Sequence, residues 1–401
     1  MKVLVTTEER FVRCPDCKIW SGGSGSYSFW TRYLDVFDGV GVLARVIDNP
    51  APPPRWKQAN GPGVAFHVLP YAIGPSGHAR ELFSMRRAIK HILNRSDALI
   101  LRAFSAIAPH IEQQLSPLRP FGIELVGDPH DVFGPGSLDH PMRPFLRWYF
   151  TRQLKRQCRK ACAIAYVTRE ALQRRYRSAA DAFSTHYSSI ELPEEAFSVA
   201  PRIFPSPLRS VRIVTLGSLE RPYKGVDVLI HAIALCRSAH PSLEIELKVV
   251  GDGRCRPALQ QRTELLGLTQ QISFLGQLPS GCAVRDELDA SDLFALASRT
   301  EGLPRAMIEA MARGLPCIGS SAGGIPELLS ADEMVPQDDH EALANLIHQV
   351  VTEPRRMDEM SARNVFKARE YQDHRLARRR RQFLAVLRDK TESWNRAVNR
   401  A

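Results

Sequence analysis

Short, largely apolar runs recur along the second half of the chain, at 212–216, 246–250, 272–275, 293–296 and 316–319. Helical stretches lie between them, at 226–238, 256–266 and 304–313, and two more follow near 340–352 and 355–370. A run of four or five apolar residues is too short for a stable helix. Bounded by glycine turns, it reads as a strand buried on both faces. Parallel strands need helical crossovers, and strands alternating with helices supply them. The first half repeats the rhythm less regularly, with strands at 2–6, 40–47, 98–101, 123–126 and 163–168 and a helix around 29–37. The fold class expected is α/β, as two doubly wound, Rossmann-like domains.

At roughly 100–200 residues per domain, 401 residues are too many for one core and suit two. Between 178 and 208 the periodicity lapses, and Pro193, Pro201, Pro205 and Pro207 punctuate the stretch. The expected organisation is a domain at 1–190, a linker at 191–210, a second domain at 211–372 and a basic C-terminal helix at 373–401. That helix carries Arg378–Arg381 and then Phe383-Leu-Ala-Val-Leu387, a packed stripe that could cross back onto the first domain. Tandem domains of this kind bind ligands in the cleft between them, outside the carboxyl ends of their strands.

Hydrophobic residues make up 44% and charged residues 24%, which excludes a disordered chain. No apolar run approaches the roughly 18 residues of a membrane span. The opening strand meets Glu8-Glu9 before any signal-peptide core, so a cytoplasmic location is expected. Eight cysteines are then expected as thiols. Cys14-Pro-Asp-Cys17 has metal or redox spacing, but its only partner pair in sequence is Cys158/Cys162, and two loop thiols without a special role is the simpler reading. No metal site is expected.

The net charge of +11 is local: residues 143–177 hold eleven Lys and Arg and one acid, Glu170. Arg152, Lys155, Arg156, Arg159 and Lys160 share one helical face, while Phe150, Leu154 and Cys158 share another. Trp148 and Tyr149 precede the stripe. The stripe is either a solvated face or a docking face for anionic lipid at a membrane surface. Nucleic acid is not expected, because few aromatics are interleaved and the rest of the chain is nearly neutral.

Chemistry concentrates at strand ends. Ser298-Arg-Thr-Glu-Gly-Leu-Pro-Arg-Ala-Met-Ile-Glu309 puts Glu301 in a loop and Glu309 on the helix that Pro304 opens. Free N–H groups at Gly302, Leu303 and Arg305 suit an anion. Alternatively, Glu309 merely pairs with Arg305 or Arg313 at i±4 spacing. Leu216-Gly-Ser-Leu-Glu-Arg-Pro-Tyr-Lys-Gly225 places Gly217 and Lys224 before a helix, where a phosphate could sit. It is neither a P-loop nor a dinucleotide fingerprint. Val249-Val-Gly-Asp-Gly253 and Gly323-Gly-Ile-Pro-Glu327 are further strand-end turns.

These blocks, in this order over residues 211–350, resemble the donor domain of retaining GT-B glycosyltransferases of the family-four group. The resemblance implies a retaining enzyme that moves a sugar from a nucleotide-diphosphate donor to a hydroxyl of a glycan or lipid-linked acceptor. Residues 1–190 would bind the acceptor. The nucleotide sugar is a co-substrate, so no cofactor is implied. Lys224 would neutralise the diphosphate, Glu309 hold the ribose, and Glu301 contact the transferred sugar. The amides of Gly302, Leu303 and Arg305 would hold sugar and phosphate, Leu278 would border the base, and Gly22 and Gly23 would face the diphosphate. Ser218 stands where the family usually has Arg, and Arg221 could substitute for it. His130 resembles the family's cleft histidine, although the usual pattern lacks the preceding Asp-Pro, and the alternative is a satisfied loop histidine. No D-x-D triplet occurs, consistent with metal-independent leaving-group stabilisation. A weakly active or non-catalytic nucleotide-sugar-binding protein, or another GT-B enzyme such as an epimerase, is the alternative.

Overall fold

The computed structural model describes every residue except 72–76, 78, 79, 94–96, 104, 117, 136–139, 206, 207, 209 and 401, so Pro207 lies outside the described residues. Two sheets organise it. The first contains β1 (Lys2–Arg13), β2 (Ile19–Ser21), β3 (Gly39–Asp48), β4 (Lys57–Gln58), β5 (Val64–Leu69), β6 (Ala98–Ala103), β7 (Gly122–Leu125), β8 (Ala163–Tyr166) and β9 (Phe183–His186). Its parallel strands run β5-β3-β1-β6-β7-β8-β9, and β2 and β4 add a short antiparallel flap on the far end of β1. The second sheet contains β10 (Ser210–Leu216), β11 (Glu244–Val250), β12 (Ile272–Gly276), β13 (Leu293–Leu296), β14 (Cys317–Ser320) and β15 (Met334–Val335). It is parallel throughout, in the order β12-β11-β10-β13-β14-β15. In both sheets the first strand is flanked by the next parallel strand on one side and the fourth on the other. The chain direction therefore switches beside β1 and beside β10, the place where doubly wound sheets open a crevice.

Helices cover both sheets. Around the first lie α1 (Tyr27–Thr31), α2 (Leu82–Leu93), α3 (Ala108–Glu112), α4 (Pro129–Val132), α5 (Arg143–Cys158) and α6 (Ala171–Arg175). Around the second lie α7 (Val226–Ala239), α8 (Arg256–Leu265), α9 (Cys282–Asp289), α10 (Arg305–Ala312), α11 (His340–Val351) and α12 (Pro354–Ala368). Each sheet packs two cores, one per face, as all-parallel sheets must.

Several boundaries differ from those read in the sequence. β1 does not stop at Thr6 but continues to Arg13 through a register shift between Thr6 and Arg10. The acids that argued for a stop are accommodated: Glu8 accepts from Arg45 at 2.6 Å and from Ser105 at 2.6 Å. The helix expected over 29–37 is regular only over Tyr27–Thr31 and then breaks into turns. β5, α2 and β9 were not anticipated. β9 lies inside the stretch read as crossover, because its alternation of half-buried and exposed residues suits a sheet edge.

The chain crosses between domains twice. After β9 it reaches the second domain, where Ile190, Leu192, Ala196 and Phe197 enter that domain's core. It returns as the last helix, α13 (Asp373–Val398): Leu376 packs in the second domain, and Phe383, Leu384 and Leu387 pack in the first. The two crossings are tied together where the Leu192 amide donates to the Asp373 carboxylate at 2.5 Å. Phe383 fills a gap left by Gly122, where a Cβ would lie 2.9 Å from its ring. Phe383→Ala should therefore cost about 3–5 kcal/mol, the usual range for a fully buried aromatic. Urea unfolding checks it, and a loss below 1 kcal/mol would show that α13 is not a strut of the first domain.

Candidate active site

The carboxyl ends of both sheets line one cleft of about 810 Å³. From the second domain come Gly217 and Ser218 after β10, Gly251 and Asp252 after β11, Leu278 after β12, and Glu301, Gly302 and Leu303 after β13, with Arg305 and Glu309 on α10. From the first domain come Gly22, Gly23, Arg102, Val126 and Val167.

Lys224 is placed by a tight turn. Residues Pro222–Lys224 form a single 3-10 turn and Gly225 adopts φ 63°, a left-handed conformation that starts α7. A Cβ there would lie 1.9 Å from the Ala297 carbonyl, so only glycine fits. The lysine stem folds over Gly217, and its Nζ donates to Glu301 Oε1 at 2.5 Å. The same oxygen accepts from Ser298 Oγ at 2.7 Å. Cation and carboxylate are both largely buried, at 15% and 9% exposed. The pair thus keeps a charge ready at the cleft wall while leaving the wall neutral overall.

Glu309 is different. It lies in the second turn of α10, and among the described residues no hydrogen bond or ion pair reaches its carboxylate. The i±4 alternative does not hold for Arg313, which turns away to pair with Asp289 at 2.7 Å. Burial pushes the Glu309 carboxyl above its ordinary value, and the nearby Arg305 and Arg285 charges pull it only part of the way back. An unpartnered acceptor facing a polar cleft is suited to a ligand's hydroxyl groups.

Other expectations are redistributed. Gly22 and Gly23 reach the cleft, but the Gly23 amide donates to Glu9 at 3.1 Å and the Gly25 amide to Glu9 at 3.0 Å. The glycine loop's N–H groups therefore hold a carboxylate of the chain itself. Pro304 is buried at the N-cap of α10, one position before the helix, and does not line the cleft. Arg221 is exposed and also absent from the lining. Its extended backbone, φ −144° and ψ 158°, leads into the turn that folds Lys224 inward and leaves Arg221 outside. Ser218 does line the cleft, so Arg221 does not replace an arginine there.

His130 is likewise not in the cleft. Asp128 caps α4 by accepting from the His130 amide at 2.8 Å, and the ring is held by Asp131 at 2.9 Å and Arg147 at 3.1 Å. It lines a separate groove of about 810 Å³ beside α5, together with Arg152, Lys155, Arg156 and Arg159. The basic stripe is thus concave, and part of it is already engaged: Arg156 and Lys160 both reach the buried Glu112 at 2.9 Å. Leu154 and Cys158 anchor α5 in the core, where burial pushes the Cys158 thiol up to about 12. Cys14 is buried and Cys17 exposed at the β1–β2 turn. Among the described residues no group of three or more His, Cys, Asp or Glu could hold a metal ion.

Three contributors escaped the sequence reading. Arg102 lines the cleft and lies 3.4 Å from Glu124, which also accepts from Tyr33 and Tyr187, each at 2.7 Å. A charged residue in each of two otherwise apolar strands, β6 and β7, was the available signal. The Arg305 side chain, counted in sequence only for its amide, adds a second cation to the donor side. Glu327 clasps the domains: its carboxylate accepts from the amides of Arg169, Glu170 and Ala171 at 2.6, 2.9 and 2.7 Å.

Residues 210–353 match the family model described as Glycosyl transferases group 1. Protein CapJ of Staphylococcus aureus is 25% identical over 334 residues, 81% of each chain. Further curated relatives at 31–35% identity are matched over only 36–40% of their own length. Sucrose-phosphate synthase from Thermosynechococcus elongatus superimposes with a TM-score of 0.71 at 17% identity, covering 96% of this chain and 99% of that one. Anabaena HepE, solved in complex with UDP and glucose, gives 0.62 at 17% identity, covering 99% and 100%. Residues 210–353 are accordingly a glycosyl transferases group 1 domain, and the two-domain architecture is the GT-B fold.

The Glu327 clasp joins the domains through three hydrogen bonds to one charged group, each worth about 1.5–3 kcal/mol. Glu327→Ala should shift the protein toward an open cleft and raise its radius of gyration in small-angle X-ray scattering. An unchanged profile would remove Glu327 from the control of closure.

Proposed function

We propose that the chain is a retaining glycosyltransferase that moves a sugar from a nucleotide diphosphate to a hydroxyl of a glycan or lipid-linked acceptor. The observation that carries this reading is the convergence of Lys224, Glu301, Glu309 and Arg305 on one cleft between two sheet edges. Glu309, half-buried and with no partner for its carboxylate among the described residues, accepts from the ribose hydroxyls. Glu301 accepts from the transferred sugar once the diphosphate draws Lys224 away. Lys224, Arg305 and the first amides of α10 neutralise the diphosphate as the bond to the sugar breaks, without a metal ion. In a retaining reaction the acceptor hydroxyl attacks from the leaving-group face and passes its proton to the departing diphosphate, so neither glutamate serves as nucleophile. HepE's complex with UDP and glucose supports the donor class.

Ser218 and the outward Arg221 favour a second reading, a binder with weak or no turnover. Donor hydrolysis separates the two. Lys224→Ala should remove about 2–4 kcal/mol of transition-state stabilisation, read from kcat/KM, with chelator leaving the wild-type rate intact. Near-normal turnover would refute the assignment.

Glu309 gives a pH signature. Its pKa is raised in the fold, so on acidification the carboxylate takes up its proton at a pH above the ordinary 4.5. The ionised form costs folding stability, and that stability is lost as pH rises through the raised value. Donor binding needs the ionised acceptor, so nucleoside-diphosphate affinity should fall as pH is lowered through the same range. Glu309→Gln should flatten the profile, and a sloping profile in that variant would assign the pH dependence elsewhere.

The enzyme works in the cytoplasm, peripherally at the inner membrane face. Phe145, Trp148 and Tyr149, 52%, 58% and 37% exposed, stand beside the cations of α5. Aromatic rings next to basic side chains suit a headgroup boundary, and each cation near anionic lipid contributes about 1 kcal/mol. Sedimentation with phosphatidylglycerol vesicles should exceed that with phosphatidylcholine and weaken in Phe145→Ser. Binding indifferent to lipid charge would exclude this docking mode.

A further inference from the structure

The groove between α4 and α5 is charged in a way the donor cleft is not. Arg143, Arg147, Arg152, Lys155, Arg156 and Arg159 line it, and among the described residues no acid does. Among the described residues, the acids beside these elements have partners: Glu112 pairs with Arg156 and Lys160, and Asp128 and Asp131 pair with Arg175. Among the described residues no hydrogen bond or ion pair restrains the side chains of Arg143, Arg152, Lys155 or Arg159. Arg152, Lys155, Arg156 and Arg159 follow one another at helical spacings of three and four. Like charges there repel, so the arrangement weakens α5 unless an anion sits among them. The site is also built. Arg147 is fixed across the groove by the His130 carbonyl at 2.8 Å, and Phe133, which lines the groove, stacks on Phe150 at 5.5 Å.

The groove adjoins the cleft. Val126 lines the cleft and His130 lines the groove, and three residues lie between them, so the two are at most about 14 Å apart along the chain. A ligand held in the groove can extend from it toward the donor.

We propose that this groove is the subsite for the diphosphate of a diphosphate-bearing acceptor, whose glycan end reaches the cleft while its phosphates are held by Arg143, Arg152, Lys155 and Arg159. This deepens the glycosyltransferase reading and rests on it. Two linked phosphates match the several unpaired cations better than one, and guanidinium groups bind phosphate oxygens in pairs. The diphosphate can come from a lipid carrier or from a soluble glycosyl diphosphate, and the chemistry recognised is the same.

The test uses the full chain. Trp148 lines the groove, so its fluorescence reports occupancy. Inorganic pyrophosphate and farnesyl diphosphate in detergent are titrated with the donor cleft saturated by UDP or GDP, whichever binds. The expected result is saturable, salt-sensitive binding that Arg152→Gln/Lys155→Gln weakens at least tenfold while nucleoside-diphosphate affinity and donor hydrolysis are unchanged. Tighter farnesyl diphosphate than pyrophosphate identifies a lipid carrier, and equal affinities identify a soluble acceptor; either supports the subsite. Three results overturn it: wild-type affinity in the double variant, displacement of pyrophosphate by the nucleotide, or tighter binding of a thymidine oligonucleotide than of pyrophosphate. Loss of donor hydrolysis in the wild type with pyrophosphate binding intact would instead defeat the glycosyltransferase reading and leave the anion site standing.

Discussion

The approach of two sheet edges governs everything else in the molecule. The Glu327 carboxylate, on a turn of the second domain, gathers three amides at the start of α6 in the first. Around that clasp the backbones come too close for side chains. A Cβ on Gly302 would meet the Val126 carbonyl at 2.7 Å, and one on Gly324 would meet Thr168 at 3.0 Å. Gly323 adopts φ 52° and passes so near the Glu301 backbone that a Cβ would lie 1.9 Å from its carbonyl oxygen. These glycines therefore serve closure as much as ligand contact. The same segments carry Glu301 and line the cleft, so domain position and site geometry are not separable variables.

This explains which parts of the chain were legible. In the second domain each chemical residue sits beside a glycine or proline whose conformation is fixed locally: Lys224 before Gly225, Glu301 before Gly302, Glu309 behind Pro304. Local backbone requirements leave a trace in sequence. The parallel strands there are buried on both faces and read as unbroken apolar runs. In the first domain the strands carry buried charge, Glu8 in β1, Arg102 in β6 and Glu124 in β7. Their partners lie 37 to 97 residues away at Arg45 and Ser105, and 91 and 63 residues away at Tyr33 and Tyr187. No local pattern announces such pairings, and β1 and β6 looked shorter than they are. His130 illustrates the same limit. Its position after a strand suggested the cleft, but Asp128, Asp131, Arg147 and Arg175 draw the loop into its own network, and burial together with Asp131 holds the Asp128 carboxyl above its ordinary value.

The arrangement also departs from a simple picture in which the glycine loop meets the donor. Glu9 occupies the amides of Gly23 and Gly25, so this side of the cleft presents a satisfied loop rather than an open anion nest. In the proposed reaction, with Ser218 uncharged and Arg221 outside, neutralisation of the diphosphate falls on Lys224 and Arg305 of the second domain, and Arg102 adds a cleft-lining cation from the first. Lys224 must exchange Glu301 for the phosphate to do so. That exchange links the two ligand moieties: when the cation moves to the diphosphate, an oxygen of Glu301 is freed for a sugar hydroxyl. A ligand with only one of the two moieties leaves either a buried carboxylate or a buried ammonium without its partner, and such an unpaired buried charge is costly. The pair can therefore act as a discriminator for the whole nucleotide sugar over its fragments.

Charge is segregated accordingly. Within the donor cleft acids and bases are balanced, and the Lys224–Glu301 contact is buried enough that added salt screens it weakly. Beside α5 the cations Arg152, Lys155 and Arg159 are exposed, without an acidic partner among the described residues, and within a Debye length of one another, so salt screens them strongly. In the proposed reaction the field of the first domain would act at long range on an anionic acceptor, while the second domain would select the donor by short contacts. In that reading, a chain whose excess charge lies almost wholly in residues 143–177 recruits the acceptor electrostatically, while the donor is recognised in a cleft whose acids and bases are balanced.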